Sequence, residues 1–295
     1  MIFYGERYII LEKNKKSGVY MKLTVLVDNN TIIDKNFFGE PGLSFYIEEE
    51  NTRLLFDVGY SDVFLRNAYK MNIDLKSIDY LVLSHGHLDH TWGLIHLLGS
   101  MDYYSSESLK KATLLAHPMA LAPKSDNGEQ IGMAYSKEIL GSCFNLELSK
   151  TPVWITERLV FLGEIERTNS FENQNPIGTT LIDGVEKPDF LMDDSAMAYK
   201  TDEGIVVITG CSHSGICNII DYAKKICGDN RVVDIIGGFH LLSPPEIQMN
   251  ETLNFLKNTA PKVVHTCHCT DLSSKIALAG VVNVSEVGVG GKYCY

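Results

Sequence analysis

The chain has 295 residues, of which 45% are hydrophobic, and its formal net charge is −11 with the histidines neutral. This length is enough for a substantial buried core, and it suggests one large domain or two small ones. A non-specific grip on nucleic acid needs many cationic contacts to phosphate, so the acidic balance argues against a nucleic-acid partner. A local basic pocket for a small anionic substrate is compatible with this charge.

The sequence carries no sign of a membrane span or a secretory leader. No apolar run approaches the roughly 18 residues that a span needs, and no long apolar stretch follows Glu6 and Arg7 near the start. Seven cysteines are an odd number, and several lie beside histidines. This usage suits free or metal-adjacent thiols in a reducing compartment, so we predict a cytoplasmic protein with no membrane partner.

Hydrophobic patterning predicts an α/β protein. Residues 1–20 lack a clear period and are predicted to be a peripheral extension of a single domain over residues 21–295. In the first part of that domain the pattern predicts helices over 62–70 and 92–98, and strands over 21–27, 43–47, 53–56, 80–83 and 113–116.

The last third is the most regular part, whereas residues 120–190 show mainly turn signals. The pattern there predicts, in order, a hairpin over 196–209, a helix over 216–226, a strand over 232–236, a helix over 246–258 and a strand over 262–264. Most polar motifs follow the C-terminal end of a predicted strand, which is where open α/β sheets place their functional sites.

The densest chemical motif is the run from Ser84 to His90, which follows the predicted strand over 80–83. Imidazole and carboxylate are common ligands for zinc, and imidazole also suits iron. Because alternate residues of an extended loop project the same way, His85 and His87 can hold one ion while Asp89 and His90 face a second. The plain alternative is a polar loop with chance histidines.

This run is the His-x-His-x-Asp-His signature, and the chain resembles the metallo-β-lactamase superfamily over most of residues 21–295. Asp57-Val58-Gly59 looks like the Asp-x-Gly that ends a strand in that superfamily. Five further segments resemble the subfamily of dihydropterin-6-methyl-ribofuranosylaminobenzene-phosphate synthases: residues 163–167, 171–172, 209–215, 237–241 and 267–270. Asp271 departs from the subfamily, which usually has glycine at that position.

The resemblance implies an α/β fold of a particular kind, the four-layer αβ/βα metallo-β-lactamase-like sandwich, with a metal site along one edge of its two sheets. It implies two divalent metal ions, with zinc as the first choice and iron or manganese as alternatives. Six ligands are carried over by position, three for each ion: His85, His87 and His213 for one, and Asp89, His90 and His268 for the other.

The carboxylate that usually bridges the two ions is harder to place. Its strand would end near Gly210-Cys211, where this chain has no acidic residue. Asp194, at the start of the predicted hairpin, is therefore the candidate bridging ligand, although it may serve only to begin that strand. Asp57 is predicted to support a metal-binding histidine by accepting its second N–H.

Two positions are predicted to act in catalysis, Asp89 and His240, and His240 can contact either a metal or the substrate. Ser212 lies in a small polar turn just before a helix, where free N–H groups favour a substrate anion; ordinary capping by Ser214 is the alternative. Arg167 can hold a phosphate or carboxylate with two hydrogen bonds, or it can form a surface ion pair with Glu164 or Glu166.

Four cysteines near these motifs invite comparison with an iron–sulfur site: Cys211, Cys217, Cys267 and Cys269. The usual C-x-x-C spacings of such clusters are missing. We therefore interpret these cysteines as small apolar packing residues beside the site.

The motifs predict an enzyme that acts on a small molecule. The first hypothesis is hydrolysis of a small, anionic substrate by a metal-bound hydroxide. The alternative is a transferase like the synthases named above. A diiron protein that reduces oxygen or NO is disfavoured, because that branch generally has glutamate at the position of His87 and carries a flavin domain. A non-catalytic binding module is disfavoured by the full ligand set.

The number of bound metal ions tests this ligand assignment. Six candidate ligands are more than one tetrahedral ion can use, so we expect about two transition-metal ions per chain. Elemental analysis of metal-replete protein would measure this ratio, and a value of one or none would contradict the two-ion assignment.

Overall fold

The computed structural model describes residues 21–100 and 112–295, and the predicted extension over residues 1–20 lies outside them. The first eight strands are β1 Met21–Val27, β2 Ser44–Glu49, β3 Thr52–Phe56, β4 Tyr80–Val82, β5 Thr113–Ala116, β6 Lys124–Asp126, β7 Glu129–Gln130 and β8 Asn145–Leu148. The remaining strands are β9 Val153–Trp154, β10 Leu159–Phe161, β11 Thr179–Ile182, β12 Val185–Pro188, β13 Ala196–Thr201, β14 Gly204–Thr209, β15 Val232–Gly238, β16 Val263–Cys267 and β17 Lys292–Cys294.

The helices are short, and several connect parallel strands. They are α1 Val63–Lys70, α2 Leu88–Thr91, α3 Leu94–Ser100, α4 Lys137–Cys143, α5 Ile216–Cys227, α6 Glu246–Thr259 and α7 Leu272–Ala279. Among residues 21–100 and 112–295, no helix combines the length and the apolar character that a membrane span requires.

Two large sheets form the centre of the fold. The first has seven strands in the order β17-β1-β2-β3-β4-β5-β8, and the second has six in the order β16-β15-β14-β13-β10-β9. A third, smaller sheet has the order β12-β11-β6-β7. The strands β3, β4, β5 and β8 run parallel, as do β14, β15 and β16. The carboxyl ends of each parallel set therefore meet at one edge of their sheet.

The apolar side chains fall into three clusters that define the layers. Phe45 and Ile47 of β2 pack between the two large sheets, together with Val206 and Ile208 of β14. The alternating position Tyr46 faces the outer layer that holds α1 and α3. On the second sheet, α5 and α6 cover the outer face. Strands buried on both faces explain the continuous apolar runs in the sequence, and the predicted four-layer α/β sandwich is confirmed.

Element prediction worked best where hydrophobic periodicity was strong. The predicted hairpin is present as β13 and β14, and Ala196 pairs with Thr209 at its open end. Helix α5 follows the predicted helical face closely. The small sheet, α7 and β17 lie outside the predicted elements. Strands of two to four residues are too short to show a period, and α7 buries only Ser274 and Leu278, so it presents no clear apolar face.

Asn67 ties α1 to the segment that follows β1. Its side chain donates to the carbonyls of Leu26 at 2.9 Å and Phe38 at 2.8 Å, and it accepts the Phe38 N–H at 3.0 Å. Asn67 itself is fully buried. The amide therefore pairs the fully buried Leu26 carbonyl and both main-chain groups of the half-buried Phe38.

Replacing Asn67 with alanine should lower the free energy of unfolding by about 1–3 kcal/mol for each buried group left unpaired. Tyr69→Ala, on the exposed side of the same helix, is the matched control and should change stability by less than about 0.5 kcal/mol. Urea denaturation measures both values. Equal effects of the two substitutions would show that the Asn67 hydrogen bonds contribute nothing of their own.

Candidate metal centre

Loops that follow four strands converge at one edge of the sandwich. The His85–His90 loop follows β4, and the turn that carries Cys211 and His213 follows β14. The loops after β15 and β16 carry His240 and His268. Because β4 belongs to one sheet and the other three strands to the second, the site lies where the two sheets meet.

The structure brings together the three histidines of the first predicted ligand set. The ring centroid of His85 lies 4.7 Å from that of His87 and 4.8 Å from that of His213. The centroids of His87 and His213 are 4.8 Å apart. His213 therefore faces the His85–His90 loop, as its predicted role in holding a shared ion requires.

The second group is formed by Asp89, His90 and His268. The Nε2 atom of His268 lies 3.2 Å from Asp89 Oδ2 and 3.3 Å from His90 Nε2. His90 Nε2 lies 3.7 Å from the same Asp89 oxygen. Three donor atoms thus point at one small volume.

In three of the histidines, the Nδ1 atom lies within hydrogen-bond distance of a protein side chain, so the Nε2 atom is the one that faces the candidate metal position. His90 Nδ1 lies 2.7 Å from Asp57 Oδ2, and His268 Nδ1 lies 3.1 Å from Asn29 Oδ1. His85 Nδ1 lies 2.9 Å from Ser84 Oγ, which itself donates to Asp57. If each Nδ1 carries the proton, each Nε2 is left with its lone pair free for a metal. The predicted supporting position of Asp57 agrees with these contacts.

The unpaired nitrogens of the first group fit a metal ion. The Nε2 atoms of His85 and His87 and both ring nitrogens of His213 are buried and have no hydrogen-bond partner among the described residues. A buried polar atom without a partner is costly. Coordination by these nitrogens would remove that cost, and imidazole is a donor that zinc and iron both accept.

Burial sets the protonation of the first group. It lowers the pKa of His85 and of His213 well below the usual value, and it lowers the pKa of His87 to about 4. All three rings are therefore neutral at pH 7 and can donate a lone pair. For His90, burial lowers the pKa but the carboxylates of Asp89 and Asp57 outweigh it, raising the pKa to about 9. A metal there must displace a proton.

Cys211 lies at the centre of the site. Its Sγ is 3.1 Å from His90 Nε2, and the thiol belongs to three groups of potential ligands within 4.8 Å of one another: Asp89, His90, Cys211 and His268; His85, Cys211 and His213; and Cys211, His240 and Cys269. Cys211 lies just after the end of β14, where the superfamily usually has its bridging carboxylate. This revises the packing interpretation of Cys211, whereas Cys217 does lie in the apolar cluster under α5.

Asp194 lies at the predicted end of the hairpin but has other partners. Its Oδ2 accepts the Ser214 N–H at 2.8 Å and the Ser214 hydroxyl at 2.6 Å. Like His87, it belongs to none of the ligand groups found among the described residues, although its Oδ1 is buried and has no hydrogen-bond partner among them. The carboxylate thus holds the turn after His213, and its bridging role stays a prediction.

The start of α5 is already occupied by a carboxylate of the protein. Glu172 accepts the N–H groups of Cys217 at 2.9 Å and Asn218 at 3.0 Å. The hydroxyl of Ser212 donates to the Gly238 carbonyl at 2.6 Å. A substrate anion at this helix start is therefore disfavoured. Capping by Ser214 is disfavoured as well, because its hydroxyl donates to Asp194. The substrate role of Ser212 stays a prediction.

Arg167 has three hydrogen bonds within the protein. Its terminal nitrogens donate to Asn173 Oδ1 at 2.6 Å and to the carbonyls of Phe190 at 2.8 Å and Leu191 at 2.7 Å. The alternative, a surface ion pair between Arg167 and Glu164 or Glu166, is not formed. Glu164 pairs with Lys150 and His117, and Glu166 pairs with Lys225. Arg167 thus braces the loop before Asp194, and its contact with substrate stays a prediction.

His240 lies at the outer side of the first group. Its ring centroid is 4.2 Å from that of His213, and the residue is only half-buried. Its main-chain N–H contacts Cys269 Sγ at 3.2 Å, and its Nδ1 has no partner among the described residues. The Nδ1 atom is itself buried, and His240 also belongs to a candidate ligand group with Cys211 and Cys269. Its contact with a metal or with a substrate stays a prediction.

Comparison with known proteins assigns the family. The model of the metallo-beta-lactamase superfamily matches residues 38–116. The chain is 31% identical over 269 residues to the 7,8-dihydropterin-6-methyl-4-(beta-D-ribofuranosyl)-aminobenzene-5'-phosphate synthase of Methanocaldococcus jannaschii, covering 86% of this chain and 89% of that protein. It is 30% identical to an uncharacterized protein of the same archaeon, covering 91% and 98%. The chain belongs to the metallo-β-lactamase superfamily, as its motifs predicted.

Solved structures agree with this assignment. The crystal structure of Tm1679, described as a metal-dependent hydrolase of the β-lactamase superfamily, matches with a TM-score of 0.77 at 26% identity, covering 92% of this chain and 98% of that one. Unliganded yeast PDE1 matches with a TM-score of 0.60 at 13% identity, covering 93% and 99%. The second match bears on the fold alone.

The central position of Cys211 leads to a spectroscopic prediction. Cobalt-substituted protein should show a thiolate-to-metal charge-transfer band, because a coordinating thiol is deprotonated by the ion. Cys211→Ser should remove the band, and Cys217→Ser, at a buried thiol in the apolar cluster, should retain it. Absorption titrations with cobalt measure both variants. A band that survives in Cys211→Ser would show that another thiol binds the metal.

Proposed function

We propose that the protein is a metal-dependent hydrolase of a small, anionic substrate. The observation that carries this proposal is the pair of adjacent ligand groups that share the Cys211 thiol. The description of Tm1679 as a metal-dependent hydrolase supports it as well. Two divalent ions, with zinc as the first choice, would be held by these groups.

The bound ions would supply a water nucleophile at neutral pH and polarise the bond to be cleaved. The protein side chains have separate tasks. Asp89 has a side chain that is 28% exposed, so its carboxylate can orient a water or a substrate group at the open side. His240, with its unpartnered Nδ1, can hold or move a proton at the leaving group.

The balance of charge supports an anionic substrate. Two divalent ions carry more positive charge than one carboxylate and one thiolate neutralise, and the five histidines of the two predicted sets add none, because an imidazole that binds a metal is neutral. The site as a whole would therefore attract an anion. This attraction does not need Arg167, whose terminal nitrogens already have partners.

A transferase activity is the second candidate. It is favoured by one specific finding, the 31% identity to a protein named as a dihydropterin-methyl-ribofuranosylaminobenzene-phosphate synthase. In that case the same ions would activate the substrates for bond formation. The two candidates differ in whether water is consumed.

Metal-loaded protein should be assayed against phosphomonoesters, phosphodiesters, lactones and thioesters, and for condensation of a dihydropterin with a phosphorylated aminobenzene riboside. We expect hydrolysis of at least one anionic class. His87→Ala should abolish most activity and metal binding while unfolding stays cooperative, because the sheets have their own core. His96→Ala, an exposed histidine on α3, is the matched control and should retain both.

Condensation without hydrolysis would favour the transferase. Hydrolysis that is unchanged in His87→Ala would contradict the proposed site. A His87→Ala protein that has lost its cooperative unfolding transition would show that the metal is structural.

A further inference from the structure

A buried cluster of three charges lies directly beneath the metal-ligand loop. The ammonium group of Lys124, on β6, is fully buried. It lies 2.6 Å from Asp189 Oδ2 and 2.8 Å from Asp193 Oδ1, and both carboxylates are almost completely buried as well. Removing three charges from water is expensive, and a buried ion pair is weak evidence for stability alone. The cluster therefore calls for a role beyond stability.

The two carboxylates make matched contacts. Each uses one oxygen for Lys124 and the other for a main-chain N–H. Asp189 Oδ1 accepts from Leu191 N at 2.8 Å, and Asp193 Oδ2 accepts from Gly86 N at 2.8 Å. The two carboxylates differ in which main-chain N–H they accept. Asp193 accepts that of Gly86, which lies between His85 and His87, whereas Asp189 accepts that of Leu191, outside the metal-ligand loop.

Lys124 also sets the position of this loop by direct packing. A Cβ atom added at Gly86 would lie 3.0 Å from Lys124 Cε and 2.4 Å from the Ala120 carbonyl oxygen. The main chain between the two histidines is thus pressed against the lysine side chain on one side and bonded to Asp193. Few other positions are open to it, since movement toward Lys124 is blocked and movement away breaks the Asp193 hydrogen bond.

We infer that Lys124 and Asp193 are positioning residues, which hold the His85–His87 main chain in the geometry that lets both rings bind one ion. This inference rests on the proposed metal site. It also assigns a task to the small sheet, because β6 delivers the lysine and the segment after β12 delivers both carboxylates. The loop is then prepared for the metal before the metal arrives.

An amide substitution separates the two carboxylates. Asparagine has a single acceptor oxygen, whereas Lys124 and the main-chain N–H contact opposite oxygens of each carboxylate, so one orientation of the amide cannot accept from both. Asp193→Asn and Asp189→Asn therefore introduce the same chemical defect at the same lysine. Only the first reaches the metal-ligand loop.

The experiment measures zinc affinity by chelator competition, the absorption spectrum of the cobalt-substituted protein, and thermal unfolding of the metal-free protein. We expect Asp193→Asn to weaken zinc binding by about 10–100-fold and to alter the cobalt spectrum. Asp189→Asn should lower the thermal midpoint to a similar degree while its zinc affinity and cobalt spectrum stay close to those of the wild-type protein.

Equal losses of zinc affinity in the two variants, or no loss in Asp193→Asn, would overturn the positioning role. If Asp193→Asn does not fold, Lys124→Gln provides the second test, since glutamine is uncharged and one bond shorter than lysine and so removes the counter-charge of both carboxylates. It should weaken zinc binding, and an unchanged affinity would overturn the inference. Wild-type protein that binds neither zinc nor cobalt would contradict the proposed function itself, and the positioning role would fall with it.

Discussion

The candidate site depends on one buried carboxylate, that of Asp57. It accepts hydrogen bonds from the Ser84 main chain at 2.8 Å, the Ser84 hydroxyl at 2.7 Å and His90 Nδ1 at 2.7 Å. A fully buried charge is tolerated only when it is paired and hydrogen-bonded in this way. Through His90 it orients one ligand group, and through Ser84 and His85 it orients the other. Gly210 lets the second sheet approach, since a Cβ there would lie 2.1 Å from Ser84 Oγ.

Other buried carboxylates serve the main chain rather than solvent or substrate. Asp28 accepts the His268 N–H at 2.8 Å, and Glu172 occupies the start of α5. Asp193 and Asp194 hold the loops on either side of the first ligand group. Part of the acidic composition is therefore internal. Because these carboxylates already fill the nearby N–H groups, the bound metal ions would be the main source of positive charge for an anionic substrate.

Cys211 changes the chemistry expected of the ligand set. A thiolate is a softer ligand than the carboxylate that most of the superfamily has near this point, and soft donors favour zinc over magnesium or manganese. Its neighbour Cys269 contacts both the Cys211 carbonyl at 3.4 Å and the His240 main chain. The position where the bridging carboxylate is missing therefore carries a candidate ligand of a different kind, within a fold shared with Tm1679.

The sequence alone determined the family, the four-layer fold and the ligand loop, because His85, His87, Asp89 and His90 are neighbours in the chain. The continuous apolar run of β14 and the helical period of α5 were also legible in the sequence. Only the tertiary structure decided what surrounds them. Asp193 meets Gly86 across 107 residues, and Glu172 meets Cys217 across 45. No local period records such contacts, since they form only when loops from separate strands reach the same sheet edge. Cys211 is likewise far from His90 in the sequence. Its thiol is a candidate ligand only because the two sheets place it beside His90.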